Sequence, residues 1–205
     1  DLMVKWCKTP LVPWKSFQTV QAEPHLIERW MAEHPSSNWG IATGLKINVV
    51  DADSQDAIDL IEGRDWINYS PYYVTTGKGR HYLYTTNGIA FTNTTNSTAK
   101  LDTRGTGGYI VAPGSIHGTG VVYTLNGPDG DTSMGDVLRE APSITADDFT
   151  KIKALSRDDS PDSAGATRVD AGVSAGGRND NLARMAGQWV GEGLAADVVM
   201  GKAIA

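Results

Sequence analysis

The chain has 205 residues, 40% of them hydrophobic and 20% charged, with a net charge of −6 and a single cysteine. These proportions describe a soluble globular domain of ordinary size with at most a small appendage. No apolar run approaches the roughly 20 residues that a membrane helix needs. Cys7 alone excludes an internal disulfide and a cysteine-built zinc site, which fits a reducing cytoplasm.

The chain starts at Asp1 without a signal-peptide pattern, which leaves open any targeting segment of a longer protein. A negative charge weighs against a nucleic-acid partner, which usually meets a basic surface. Yet nine acids against four bases between residues 129 and 162 carry most of it, and the rest is close to neutral. Global charge decides nothing here beyond implying weak, salt-sensitive DNA binding.

Residues 1–20 read as an extended arm broken at Pro10 and Pro13, with Lys5, Lys8, Lys15, Trp6 and Trp14 along it. Its indoles pack on the body or, alternatively, stack on bases. Residues 24–34 form an amphipathic helix, with Leu26, Ile27, Trp30 and Met31 at helical spacing and prolines at either end. A short strand at Asn38-Trp39-Gly40-Ile41-Ala42-Thr43-Gly44 leads to the central stretch, Ile47-Asn48-Val49-Val50-Asp51-Ala52-Asp53. β-Branched residues favour a buried strand, and its period of two puts Asp51 and Asp53 on one face at the C-terminal end. Adjacent carboxylates repel unless something positive lies between them, and oxygen ligands suit Mg²⁺ or Mn²⁺. A strand running out into an acidic turn is the competing reading.

Ser54 is placed to cap a helix over residues 55–67, which Gly63 interrupts. Strands at 72–76 and 82–86 then flank Gly77-Lys78-Gly79-Arg80-His81. Glycine on both sides of Lys78 permits positive φ and close approach of a ligand. A basic glycine turn suits a polyphosphate, through arginine forks and backbone N–H groups, or is a solvated hairpin tip. Residues 87–100 are a polar excursion. Leu101-Asp102-Thr103-Arg104-Gly105 brings a third aspartate to a strand edge, before the glycine turn at Gly107 and Gly108. An apolar strand follows and ends in Pro113-Gly114-Ser115-Ile116-His117, where Ser115 and His117 share a face if extended. Residues 121–125 form another strand. From 156 to 177 Ser, Asp, Ala and Gly dominate, which is linker chemistry. Helical character returns at residues 178–205.

The ordered set Val49-Val50-Asp51-Ala52-Asp53, Gly77-Lys78-Gly79-Arg80-His81, Leu101-Asp102-Thr103-Arg104-Gly105 and Pro113-Gly114-Ser115-Ile116-His117 resembles the primase–polymerase (prim-pol) family of the archaeo-eukaryotic primase superfamily. The likeness covers roughly residues 5–130 and rests on several motifs in order, so it is more specific than any one of them. It implies an α+β fold, a mixed body with an RRM-like antiparallel sheet carrying the active site. It implies template-directed nucleotidyl transfer, as DNA primase or DNA polymerase, with two divalent ions (Mg²⁺ or Mn²⁺) and no zinc. By the resemblance Asp51, Asp53 and Asp102 are metal ligands, and His81 joins them in catalysis and contacts the triphosphate. Lys78, Gly79, Arg80, Arg104, Ser115 and His117 are then nucleotide-binding. Relatives often carry glutamate where Asp53 stands. The implied partners are a single-stranded DNA template, a primer strand and NTP or dNTP, with a helicase domain in the full-length chain. The implied setting is the cytoplasm of a prokaryotic host, on a phage or plasmid replicon. The expected layout is a catalytic domain at 1–150, a linker at 151–177, and at 178–205 the opening of a small helical module that continues past the chain's end.

Two other classes compete. A metal-dependent nuclease or replication nickase wants a tyrosine nucleophile beside paired histidines, which His81 and His117 match poorly. A degenerate domain that only binds nucleotide or single-stranded DNA is at odds with three intact acids.

Overall fold

The computed structural model describes residues 7–63, 65, 67–89, 91–95, 98–155 and 199–201. Its helices are α1 (Pro24–Glu33), α2 (Gln55–Glu62), α3 (Met134–Glu140) and α4 (Ala146–Ala154), with a 3-10 turn at Lys15–Gln18. The strands are β1 (Asn38–Ala42), β2 (Ile47–Ala52), β3 (Tyr73–Thr75), β4 (Arg80–Thr85), β5 (Leu101–Arg104), β6 (Tyr109–Val111), β7 (Thr124–Asn126) and β8 (Val199–Gly201). They form two sheets, β5-β2-β4-β3-β7 and β6-β1-β8, in which every pairing is antiparallel. The class is α+β, as the sequence implies. Among the described residues no helix is long and apolar enough to cross a membrane.

Strand β2 lies between β4 and β5, and all six of its residues are buried. Its alternation sorts the core into two layers. Val50 and Ala52 pack with Tyr82, Tyr84 and Leu101 beneath Ala57, Ile58 and Ile61 of α2. Ile47 and Val49 face the other way, against Val74, Leu83 and the β6 residues Ile110 and Val111. Asp51 belongs by parity to this second face, so the strand points a carboxylate into the space between the sheets.

The helices follow their caps. Ser54 Oγ accepts from Ala57 N at 3.1 Å and starts α2. The helix stops at Glu62 rather than reaching 67, with Gly63 as its C-cap and the Gly63 N–H on Asp59 O at 2.8 Å; glycine is the poorest helix former after proline. In α1 Pro24 takes the first turn, and Trp30 is buried with Val12, Phe17 and Ala22. In the described part of the arm Trp14 and Phe17 pack on the body, with Trp14 1% exposed, while Trp6 lies outside the described residues.

Four further expectations shift. Strand β4 begins at Arg80, two residues early, because Ala52 and Asp51 of β2 pair with Arg80 and His81. The polar excursion is tied down by Thr94 pairing with Thr103, and by Phe91 stacked on Phe149 at 4.4 Å. Toward the C-terminus α4 carries regular structure to Ala154, inside the stretch expected as linker. Residues 156–198 and 202–205 lie outside the described residues. Where a helix is expected, Val199–Gly201 is a strand on β1, with Trp39 opposite Met200. β-Branched Val199 favours that extended form once an edge such as β1 is offered.

Two glycines test this packing. A Cβ at Gly79 would lie 1.8 Å from Ala52 O, a backbone atom that cannot yield, whereas at Gly135 in α3 it meets only the ends of Arg139 and Ser133 side chains. Gly79→Ala is expected to lower stability by about 2 kcal/mol or more, the cost of overpacking. Gly135→Ala is expected to raise it by about 0.5 kcal/mol through lost unfolded-state entropy. Thermal melts of the two variants, moving in opposite directions, check both.

Candidate active site

In the β2 ladders Asp51 stands directly across from His81 of β4 on one side and Asp102 of β5 on the other. Opposite residues on one face have Cβ atoms about 5 Å apart. Asp53 follows just past β2, held by its N–H to Lys100 O at 2.9 Å. Oxygens of Asp51, Asp53 and Asp102 all lie within 4.8 Å of one another, running from buried Asp51 through half-buried Asp102 to exposed Asp53. Burial first, then the charge of Asp102, pushes the Asp51 carboxyl up to about 6 against the pull of Arg104 and Lys8. Asp53 is raised as well, by burial and then by Asp51.

Arg104 answers part of this charge. Its Nη2 is 2.7 Å from Asp102 Oδ2 and 3.6 Å from Asp51 Oδ2. Among the described residues Asp51 Oδ1 nevertheless has no hydrogen-bond partner. Three hard oxygen donors, one of them orphaned, and two acids reluctant to ionise fit a divalent cation of the Mg²⁺ or Mn²⁺ type.

His81 Nε2 is 3.4 Å from Asp51 Oδ1, a distance at which an ion pair forms. The pair is not charged on both sides, because burial, with Lys8 and Arg104 nearby, holds the imidazole down to about 3. A neutral ring therefore faces the carboxylate. His117 is also buried, and its Nδ1 accepts from Thr119 N at 3.2 Å, which leaves the proton on Nε2. Burial, then Lys8 and Lys78, shift His117 downward. The Tyr123 ring lies between the two histidines, 6.1 Å from each.

The basic glycine loop divides. Lys78 is exposed on the acid side, where its charge reaches Asp53. Arg80 alternates to the opposite face, pairs with Glu62 of α2 and lies 4.4 Å over the Tyr73 ring. Tyr82 OH donates to the same Glu62 at 2.7 Å. Neither Gly77 nor Gly79 uses positive φ. They are glycines because a Cβ would strike the His117 ring at one and Ala52 O at the other. The N–H groups of Lys78 and Gly79 both turn onto Thr76 Oγ1, at 3.2 and 3.0 Å. Ser115 is engaged by β1: its Oγ accepts from Trp39 N at 3.0 Å and donates to Trp39 O at 3.2 Å.

A cleft of about 160 Å³ opens beside these residues, lined by Asp51, His81 and Arg104 together with Lys8, Trp14 and Tyr109 among others. Sequence reasoning missed Lys8, Asn93 and Tyr123. Tyr109 OH donates to Lys8 O at 2.8 Å and Asn38 Nδ2 to Cys7 O at 3.2 Å, so the arm is pinned at the site. Asn93 Oδ1 accepts from Gly105 N at 3.0 Å and steadies the turn after Arg104. No spacing in the sequence links these positions to the acids.

Asp51 and His81 pull metal-free stability in opposite directions. Folded Asp51 keeps its proton up to about 6, while the unfolded chain releases it near 3.9, so stability drops as pH rises through that window. Folded His81 stays neutral down to about 3, while the unfolded chain takes a proton near 6.5, so stability drops as pH falls. Between about pH 4 and 6 the slopes oppose, each at most ~1.4 kcal/mol per pH unit. Urea melts with chelator present are expected to show Asp51→Asn losing stability on acidification faster than the parent, and His81→Gln more slowly. Parallel slopes in all three proteins would count against this pair.

No curated protein matches the chain, and no solved structure matches it. A family model does: Prim-Pol, described as bifunctional DNA primase/polymerase, N-terminal, over residues 3–144. That span runs from the arm to the turn before α4 and includes all three acids, His81 and His117. With most of its length matched, the chain belongs to the Prim-Pol family of bifunctional DNA primase/polymerase N-terminal domains.

Proposed function

We propose that this domain performs template-directed nucleotidyl transfer on single-stranded DNA, as a DNA primase, a DNA polymerase or both. The supporting observation is the convergence of three carboxylates from neighbouring strands within 4.8 Å, with Asp51 Oδ1 unpartnered, inside a Prim-Pol domain. Asp51, Asp53 and Asp102 would hold the divalent pair, Mg²⁺ or Mn²⁺. When bound, such a pair activates the primer 3′-oxygen and stabilises charge on the departing pyrophosphate.

The chain's own groups then have separable tasks. His81, kept neutral by its burial, donates one ring N–H to a triphosphate oxygen and adds no charge. Arg104 spans Asp51 and Asp102, holding the acids together, and offers its unpartnered Nη1 to phosphate. Lys78 is a mobile point charge at the rim, suited to a phosphate that arrives and leaves. His117 Nε2–H supplies a second neutral donor near Tyr123. Gly79 acts by absence, letting the loop close on β2. Arg80 and Ser115 brace the site from behind through Glu62 and Trp39. A catalytic domain at 1–150, a downstream linker and helical module, a helicase partner and a phage or plasmid replicon in a prokaryotic cytoplasm complete the proposal.

A nickase reading draws on one observation, the Tyr123 ring between His81 and His117. Against it, Tyr123 is 2% exposed and burial drives its phenol well above the ordinary range. A nucleophile needs the reverse, access and a lowered pKa.

The test uses the purified chain, a single-stranded template, labelled nucleotides and Mn²⁺ or Mg²⁺, with and without primer. Products that depend on Asp51 and Asp53 are expected. The double Asp51→Ala/Asp53→Ala variant should fall by at least about a thousandfold, as when a charge-stabilising centre is removed. Products in both lanes assign a primase–polymerase, and products only with primer assign a polymerase. A shortened template without incorporation would transfer the site to nuclease chemistry.

A further inference from the structure

We propose that the arm at residues 7–14 forms one wall of the nucleotide site, and that Lys8 holds a phosphate of the incoming nucleoside triphosphate. This rests on the nucleotidyl-transfer reading above and adds a residue that none of the catalytic motifs contains. Two long-range hydrogen bonds, Tyr109 OH to Lys8 O at 2.8 Å and Asn38 Nδ2 to Cys7 O at 3.2 Å, fix the arm's backbone at the cleft. Lys8 lines that cleft with Asp51, His81 and Arg104 and is half-buried. Among the described residues its ammonium has no ion-pair partner within 4 Å.

A cation whose task was to neutralise the acids would touch them, as Arg104 does. Lys8 instead stands off, yet its charge is felt at Asp51, Asp53, His81 and His117 alike. A cation that lines the cleft beside Asp51, His81 and Arg104 without pairing with an acid is placed for the remaining negative charge of a metal-bound polyphosphate. A second observation agrees. Trp14 Nε1 and Arg104 Nη1 are buried donors without partners, and both residues line the same cleft. Unmatched donors beside an ammonium call for a ligand rich in acceptors, and phosphate oxygens are that ligand. A lysine serves as a point charge there and needs no fixed fork geometry.

The experiment is primer extension by the parent, Lys8→Ala, Lys8→Gln, Lys8→Arg and, as a surface-charge control, Lys46→Ala. It is paired with equilibrium binding of dNTP, dNDP and dNMP in Ca²⁺. Loss of a charge-assisted hydrogen bond is expected to raise the dNTP KM of Lys8→Ala and Lys8→Gln about tenfold or more, with kcat changed less. Affinity for the triphosphate should fall more than affinity for the monophosphate, with Lys8→Arg recovering most of it and Lys46→Ala matching the parent. Unchanged KM and an unchanged phosphate ladder in both neutral variants would overturn the inference. So would a fall in single-stranded DNA affinity with dNTP binding intact, which would give Lys8 to the template. A parent that neither incorporates nor binds triphosphate would bring down the nucleotidyl-transfer reading itself, and this inference with it.

Discussion

Placing a carboxylate in the middle of a fully buried strand is costly, and much of this molecule is organised around that cost. Asp51 occupies β2, where Ile47, Val49, Val50 and Ala52 contribute to one or other of two packed layers. Arg104 and Lys8 do not offset its burial, and its carboxyl remains up at about 6. Ionising it therefore costs roughly 3 kcal/mol more than in water. Asp102, directly across the ladder, adds to the penalty. A sheet built for stability alone would carry an apolar residue at position 51. Retaining an acid there makes sense when a cation of higher charge than Arg104 completes the set.

Strand alternation then assigns the neighbours. β4 sends His81 to the acid face and Arg80 to the α2 face, although the two are adjacent in the chain. One therefore faces the acids, and the other ties the hairpin to α2 through Glu62 while lying over the Tyr73 ring. The same ladder explains the glycine loop. Gly79 lies where the chain crosses the end of β2, and Gly77 where it crosses the His117 ring, so any side chain would prise the loop from the acids. The second sheet closes the cleft with β6, and the Tyr109 hydroxyl at its edge ties down the arm.

Much of this was legible from local pattern. β-Branched residues followed by Asp51 and Asp53 identify β2 and the face of its acids, because a strand's period of two is a local property. Ser54 marks the start of α2, and Pro24 that of α1, since caps act over one turn. The order of four motifs carries the family. The helix expected over 55–67 stops at Glu62 with Gly63 as its C-cap, and the strand at Val199–Gly201 forms against β1, an edge that chain-local reasoning does not see.

The sequence by itself thus determined the shared face of Asp51 and Asp53, which depends on alternation within one short segment, and the order of its four motifs, through the family they resemble, implied the class of fold and added Asp102 and His81. Only the tertiary structure decided that Arg80 leaves the site while Lys8 enters it, that His81 is neutral, and that Ser115 is spent on β1. Those outcomes depend on burial and on contacts between distant parts of the chain. The bond from Tyr109 to Lys8 spans 101 positions, and no pattern confined to one stretch encodes it.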